Sequence, residues 1–515
     1  MEIKYWSWSM ERPPGHLKVG LILKNASIAY PDKGIIDANT DKMCTYRELN
    51  ERVNRAANGL LHRGCKPGDF LAGVTRMGPE AIELYFICAK AGLIYIPLPY
   101  RFAPKEMENL MRFTGTKTLI FDSRYKKLTD QIDLKVDRYL MGEESGGLTP
   151  YAELLENEPT EPDIEIKDDT PLLVGFTSGT TGSPKVYLRS NYANFLNHAC
   201  YPLSYDFNYQ DVTFNLFPPS MTAFTWVCGT MLAKGTSVVM DFDPKIAADA
   251  VRKYKVTIMY GVPAMYKTMI DLPDIDKYDF SSLRAIGSVG SVMPTSTLER
   301  IWEKITPNVY DHIGLQETGF IAVNRPDMKR KKPTSVGPPC PFHEITIVDK
   351  DGKEAGTNEI GEILISYPDG AGEYYKNEEK TKEAFKDGLF HTGDLGKLDE
   401  DGYLYVVGRT KDMIVTGGYN VYASDVEDAI MYNSKIEDCA VVGIPDKQWG
   451  EKLVAVVALK KGESTTEEEL IEFCKENMAH YKAPKSVYFT DVIPRTATGK
   501  VQKFKLVDRY KDEGD

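Results

Sequence analysis

Thr177-Ser178-Gly179-Thr180-Thr181-Gly182-Ser183-Pro184-Lys185 follows directly on the apolar run Leu172-Leu173-Val174-Gly175-Phe176. A buried strand therefore opens into a loop of hydroxyls and glycines that closes on a lysine. Glycine lets backbone N–H groups approach a ligand closely, the hydroxyls add donors, and the lysine adds charge, which together suit a polyphosphate. The loop is not a Walker A motif: counted from Gly179, Pro184 stands where the second glycine belongs and Val186 where a Ser or Thr belongs. A flexible Ser/Gly linker is the plain alternative, and the strand before the loop with the Pro-Lys ending after it argues against that.

Outward from this loop the chain alternates strands with helices. Thr45 and Glu48 form a capping-box pattern, and Leu49, Val53, Ala56, Ala57 and Leu60 repeat at helical spacing, which predicts a helix over 46–62. Strands are expected at Phe70–Val74, Ile94–Pro97, Thr213–Phe217, Ser237–Phe242, Thr257–Tyr260 and Leu283–Ile286, with an apolar helix over Glu80–Ala91. The pattern is that of α/β sheets covered by helices. After about Pro338 the texture changes to short strands (Glu344–Asp349, Glu359–Ser366, Tyr403–Val407) joined by Asp-Gly turns, predicting a small antiparallel β unit. The last hundred residues read as an α+β block: helices at Ser424–Met431 and Thr465–Asn477, the latter with Thr465 and Glu468 as capping box, and strands at Ile436–Gly443 and Leu453–Leu459. Its boundary falls near Gly408-Arg409-Thr410-Lys411-Asp412, giving domains of 1–409 and 410–515.

At 515 residues the chain exceeds what one core usually serves. A net charge of −12 argues against a nucleic-acid surface, so any phosphate ligand must be held by local positive groups. The eight cysteines are scattered, with no C-x-x-C pair, and read as reduced structural thiols of a cytoplasmic protein. The N-terminal stretch has no signal-peptide pattern, and no window is apolar enough to span a membrane. The histidines near motifs, His198, His312 and His391, read as structural.

Six segments then stand in one order: the Thr177–Lys185 loop, Ile313-Gly314-Leu315-Gln316-Glu317, Thr392-Gly393-Asp394, Gly408 to Asp412, Gly417-Gly418, and Pro494-Arg495-Thr496-Ala497-Thr498-Gly499-Lys500. In this the chain resembles the adenylate-forming (ANL) superfamily of AMP-forming acyl-CoA synthetases, peptide-synthetase adenylation domains and firefly-type luciferases. The resemblance covers nearly the whole chain. It implies a large N-terminal domain and a small mobile C-terminal one, and an acid–thiol ligase that converts a carboxylic acid and ATP to acyl-AMP and pyrophosphate, then passes the acyl group to CoA.

The resemblance also implies roles. Thr177, Ser178, Gly179, Thr180, Thr181, Gly182 and Lys185 would hold the β and γ phosphates, and Glu317 would ligate Mg²⁺. Lys500 would bridge the carboxylate and α-phosphate in the adenylation step. Asp394 would take the ribose hydroxyls, with Arg409 beside it, and Gly314 and Gln316 would line the nucleotide. Ile313 replaces the aromatic that packs on adenine in the family, which makes Asp311 a candidate partner for the adenine amino group. Gly417 and Gly418 would line the thiol's approach, with the hinge at Lys411. The acid pocket would be lined by Met221, Phe224, Trp226, Val289, Gly290, Ser291 and Gly319, mostly apolar and without a counter-charge for an amino group. The expected substrates are therefore ATP, CoA and an apolar monocarboxylic acid, medium-chain, branched, alicyclic or aromatic. A stand-alone enzyme loading a carrier protein and a non-catalytic nucleotide-binding relative are the alternatives, and a homodimer is left open. Nothing in the sequence asks for luciferase-type oxidation.

Overall fold

The computed structural model describes residues 17–142, 147–177, 185–291, 293–366, 373–416, 419–446, 449–495 and 501–511. Two eight-stranded sheets build the large domain. The first runs in spatial order Gly319–Asn324, Val309–Leu315, Ala285–Ser288, Ile258–Gly261, Val212–Asn215, Thr236–Val239, Gly34–Asp37, Lys42–Thr45. Its six inner strands are parallel and each outer pair is antiparallel. The second sheet runs Glu373–Tyr374, Lys185–Ser190, Pro171–Thr177, Ile94–Pro97, Phe70–Val74, Thr118–Asp122, Asp137–Met141, Thr149–Pro150. Parallel strands need both faces covered: a shared helical layer covers one face of each sheet, the helices Pro244–Tyr254, Pro263–Ile270 and Thr295–Lys304 cover the other face of the first, and Pro104–Thr114 packs on the other face of the second.

That layer includes the helices Tyr46–His62, Pro79–Ala91 and Met221–Leu232, whose residues share one apolar core with Ile35 and Val239 of the first sheet and Leu71, Tyr95 and Ile120 of the second. The helix Pro79–Ala91 is buried from Ala81 onward, which explains an apolar sequence with no polar stripe. Thr45 caps its helix as its sequence predicts: Oγ1 accepts from the Glu48 amide while the Glu48 carboxylate accepts from the Thr45 amide.

The small antiparallel unit contains Ile345–Val348, Gly361–Ser366, Phe385–Lys386, Leu389–Leu398 and Leu404–Arg409, around its own core of Ile345, Ile347, Ile363, Ile365, Phe390 and Leu404. After Arg409 a single 3₁₀ turn, Thr410–Asp412, leads into Met413–Thr416, the first strand of a separate five-stranded sheet. This sheet carries the long hairpin Ile436–Asp446 and Gly450–Leu459, with the helices Ala423–Met431, Glu467–Asn477 and Lys503–Tyr510 packed on it.

The fold class is the one the sequence predicts, a helix-covered α/β domain with an antiparallel β unit and a small α+β domain after it. Element ends shift by up to three residues: Thr213–Phe217 is observed at Val212–Asn215, Leu283–Ile286 at Ala285–Ser288, and Ser237–Phe242 at Thr236–Val239. At the second expected capping box the cap lies one position further on, and the glutamate carboxylate takes a different partner. Thr466, not Thr465, caps the helix and accepts from the Glu469 amide, while the Thr465 hydroxyl donates to the Glu469 carboxylate.

Candidate active site

In an open parallel sheet the ligand crevice lies beyond the carboxyl ends of the strands. Here those ends are Phe217, Gly261-Val262, Val289-Gly290-Ser291 and Leu315-Gln316-Glu317. The hairpin Val309–Leu315 to Gly319–Asn324 is tight at its tip: a side chain at Gly314 would stand 2.7 Å from the Gly319 carbonyl oxygen, so only glycine fits there.

Glu317 sits in that tip and is held twice. The Tyr374 hydroxyl donates to its Oε1 at 2.8 Å. From the other side the buried Arg189 guanidinium donates to the backbone oxygens of Glu317 (2.9 Å) and Gln316 (3.4 Å), and to that of Ala193 (3.1 Å). Arg189 stands on Lys185–Ser190, the strand that follows the phosphate loop, and Tyr374 on the edge strand Glu373–Tyr374, which pairs with it through Tyr187. Burial, followed by the charge of Glu317, pushes the Tyr374 hydroxyl far above its ordinary range, so it stays a donor. The Gln316 side chain lies over Gly175, where an added Cβ would meet its Oε1 at 2.8 Å. Ile313 and Leu315 pack on the core of the small β unit. In that unit Asp394 and Arg409 are direct partners across Leu389–Leu398 and Leu404–Arg409, with Arg409 Nε 3.0 Å from Asp394 Oδ1.

The strand leading into the phosphate loop meets the Gln316-Glu317 tip, and the β unit that carries the Asp394–Arg409 pair packs on the hairpin that ends in this tip. Ser178, Gly179, Thr180, Thr181, Gly182, Gly417, Gly418 and Lys500 lie outside the described residues, as do the side chains of Thr177, Lys185 and Lys411. Among the described residues no cluster of three or more Asp, Glu, His or Cys side chains could hold a metal ion. A single anchored carboxylate fits Mg²⁺, which takes one or two carboxylates and fills its shell from water and substrate phosphates.

Several sequence expectations change. Asp311 does not face a nucleotide: it is 2% exposed and its carboxylate accepts from Lys329 Nζ at 2.7 Å, a wholly buried ion pair. Burial pushes the Asp311 carboxyl up, and the lysine opposes this. Phe224 leaves the pocket list, since it stacks on Tyr85 (4.7 Å between ring centres) inside the core shared by the two sheets. Trp226, on the same helix, points into a different cluster with Tyr201, Tyr205 and Tyr260. A helix buried on every side has no single pocket face. Gly319 has φ +75°, and an added Cβ there would sit 2.5 Å from Asn197 Oδ1, so the position requires glycine for its conformation and its packing on Asn197. Gly290 and Ser291 are exposed at the crevice, Val289 is nearly buried beneath them, and Met221 is nearly buried in the core that also holds Phe224.

His198 and His312 are buried, as structural imidazoles are: Tyr85 Oη lies 2.8 Å from His198 Nε2, and burial drives both imidazole pKa values down, that of His198 to about 3. The eight cysteines are all free thiols. Arg189 and Tyr374 were not singled out from the sequence. A buried arginine in an apolar strand, Val186-Tyr187-Leu188-Arg189, was the available signal for the first.

The sequence pattern of the AMP-binding enzyme family matches residues 23–375, and that of the AMP-binding enzyme C-terminal domain matches residues 425–500. A feruloyl-CoA synthase from an Amycolatopsis species is 33% identical over 473 residues, covering 90% of this chain and 94% of that protein. A long-chain-fatty-acid–CoA ligase of Mycobacterium tuberculosis is 29% identical over 501 residues, covering 96% and 98%. Among solved structures, ATP-bound MatB from Rhodopseudomonas palustris superposes with a TM-score of 0.85 at 28% identity, covering 97% of this chain and all of that one. The chain belongs to the AMP-binding enzyme family, within the adenylate-forming superfamily of acyl-CoA synthetases. No described helix is long and apolar enough to cross a membrane.

Proposed function

We propose that the protein is an AMP-forming carboxylic acid:CoA ligase acting on an apolar monocarboxylic acid. The observation that carries the reading is Glu317, its carboxylate held by Tyr374 and its backbone by Arg189 of the strand after the phosphate loop, with the Asp394–Arg409 pair in the β unit packed on the same hairpin. The acid's carboxylate oxygen attacks the α-phosphorus of ATP, the bond to the β-phosphate breaks, and pyrophosphate leaves. The CoA thiol then attacks the acyl carbon and AMP leaves with the carboxylate-derived oxygen.

Each group has a task set by charge. Lys185 and the Thr177–Gly182 hydroxyls and amides would hold the β and γ phosphates, and Asp394 would accept from the ribose hydroxyls with Arg409 as its orienting partner. Mg²⁺ held by Glu317 would neutralise charge on the phosphate oxygens. Lys500 would stabilise the charge that builds on the α-phosphate, an interaction useful only in the first step. Gly417 and Gly418 would line the thiol path once the C-terminal domain turns about Lys411. The domain division at 409/410 belongs to this reading, supported by the 3₁₀ turn Thr410–Asp412 between two unrelated sheets.

The apolar crevice surface of Phe217, Val262 and Val289 supports an apolar acid. The test is acyl-CoA formation followed by mass spectrometry with ATP, Mg²⁺, CoA and a panel of acids. Acyl-CoA accompanied by AMP and pyrophosphate is the expected result. Acid-dependent pyrophosphate release without acyl-CoA, with acyl transfer only to a carrier protein, would move the acceptor away from CoA.

A further inference from the structure

One residue beneath the crevice floor the interior is filled by rings. Phe217 is half-buried at the crevice, and its ring centre lies 4.9 Å from that of Tyr260. Tyr260 stacks on Trp226 at 4.2 Å and lies within 14° of parallel to His312 at 5.5 Å. Tyr205 meets the Trp226 edge at 5.4 Å, and Tyr201 stacks on Phe320 at 4.5 Å. Trp226, Tyr205 and Tyr260 are wholly buried, and Tyr201 and His312 are each 4% exposed.

Hydrogen bonds tie the rings together. Tyr205 Oη lies 2.7 Å from His312 Nδ1, Tyr260 Oη lies 3.0 Å from His312 Nε2, and the hydroxyls of Tyr201 and Tyr260 are 2.9 Å apart. Tyr201 Oη also lies 3.5 Å from His312 Nε2, and since a neutral imidazole holds one proton, three hydroxyls and one ring N–H serve these contacts without a buried charge. The backbone is built around the group: an added Cβ at Gly287 would stand 2.8 Å from the Tyr205 ring and 3.0 Å from that of Tyr260. The strand carrying Gly287 ends at Ser288, and the amide of the next residue, Val289, donates to the Gly261 oxygen at 3.3 Å, one residue past Tyr260.

We infer that this Trp226–Tyr260–His312 stack, locked by Tyr201 and Tyr205, is the floor of the acid pocket and restricts the enzyme to short aliphatic acids. The inference rests on reading the crevice as an acid-activation site. An acyl chain that enters past Phe217, Val262 and Val289 meets close-packed rings after a short distance. Interiors packed this densely do not yield space without loss, and moving Tyr260 or His312 also breaks the hydrogen bond between them. The side chains above the rings, Phe217, Val262 and Val289, are apolar, so a small aliphatic acid fits the space they leave. Long-chain and bulky aromatic acids need depth that the rings occupy.

The experiment is acid-dependent ATP–pyrophosphate exchange with the full-length protein, using straight-chain acids from acetate to dodecanoate together with benzoate and 4-hydroxycinnamate, and kcat/KM as readout. The expected optimum lies among the shortest acids, with a loss of roughly 10-fold or more per methylene beyond it, the scale of one methylene's discrimination in a hydrophobic pocket. Trp226→Leu and His312→Ala, checked for unchanged melting, should move the optimum to longer acids. Wild-type preference for octanoate, dodecanoate or the aromatic acids overturns the inference while leaving the ligase reading intact. A folded Trp226→Leu and a folded His312→Ala that both keep the wild-type ranking also overturn it. Exchange with short acids but no thioester with CoA upholds the floor and defeats the CoA reading. Exchange with no acid defeats both.

Discussion

Tyr374→Phe isolates one hydrogen bond at the center of the proposed site. The tyrosine ring is buried against Tyr187 (5.7 Å) and Phe385 (6.2 Å), and phenylalanine retains those contacts. What is lost is the 2.8 Å hydroxyl-to-carboxylate bond to Glu317. Hydrogen bonds to charged groups contribute about 1.5–3 kcal/mol. Glu317 is only partly buried, so water can replace the donor in the resting protein and little stability should be lost. In the adenylation transition state the carboxylate must hold one position, and the missing anchor should then count in full. At 1.4 kcal/mol per tenfold this is a fall of about 10- to 100-fold in the adenylation rate. The assay is ATP–pyrophosphate exchange across a Mg²⁺ titration, beside thioester formation from preformed acyl-AMP and a melting curve. Adenylation should fall with a raised Mg²⁺ requirement, thioesterification should stay within about twofold, and melting should move by no more than a few degrees. Equal loss in both steps would mean a structural role, and a lowered Mg²⁺ requirement would mean that Tyr374 competes with the cation; either refutes the reasoning.

Asp311→Asn should cost about 3–5 kcal/mol by stranding Lys329, whereas Asp311→Leu combined with Lys329→Met should recover most of it in denaturant titrations. His198 stays neutral in the fold down to about pH 3, while the unfolded chain takes up a proton near pH 6.5, so its contribution to stability falls by about 1.4 kcal/mol per pH unit between those values as pH is lowered. His198→Gln should flatten that dependence, compared with wild type by denaturant midpoints at pH 7, 6 and 5. Lys411→Pro should suppress one half-reaction far more than the other, because proline fixes φ where a hinge must visit two values, whereas Lys411→Ala should leave both near wild type.

The helix Tyr46–His62 and the strands Phe70–Val74 and Ile94–Pro97 were legible to the residue, because capping chemistry and unbroken apolar runs are local signals. The shifted cap at Thr466 shows the limit: Thr465-Thr466 followed by Glu467-Glu468-Glu469 offers two equivalent frames, and packing of Leu470 and Cys474 selects between them. The pocket was the least legible part. Nearly every residue of the helix Met221–Leu232 is buried, so periodicity could not separate Phe224 in one core from Trp226 in another. Tyr374 meets Glu317 across 57 positions of chain, and Asp311 meets Lys329 through a turn of the backbone; neither contact has a local sequence signature. The Asp394–Arg409 pair was legible only as two separate motifs, and antiparallel register brings them side by side.

The central claim, attack of a carboxylate on the α-phosphorus of ATP, is tested most directly by the fate of the acid's own oxygen. With an acid labelled with oxygen-18 in its carboxylate, ATP, Mg²⁺ and CoA, single-turnover products can be separated and weighed by mass spectrometry. The account predicts one labelled oxygen in AMP, unlabelled pyrophosphate, and acyl-CoA as the thioester product. Label in inorganic phosphate together with ADP would mean an acyl-phosphate route and would contradict it.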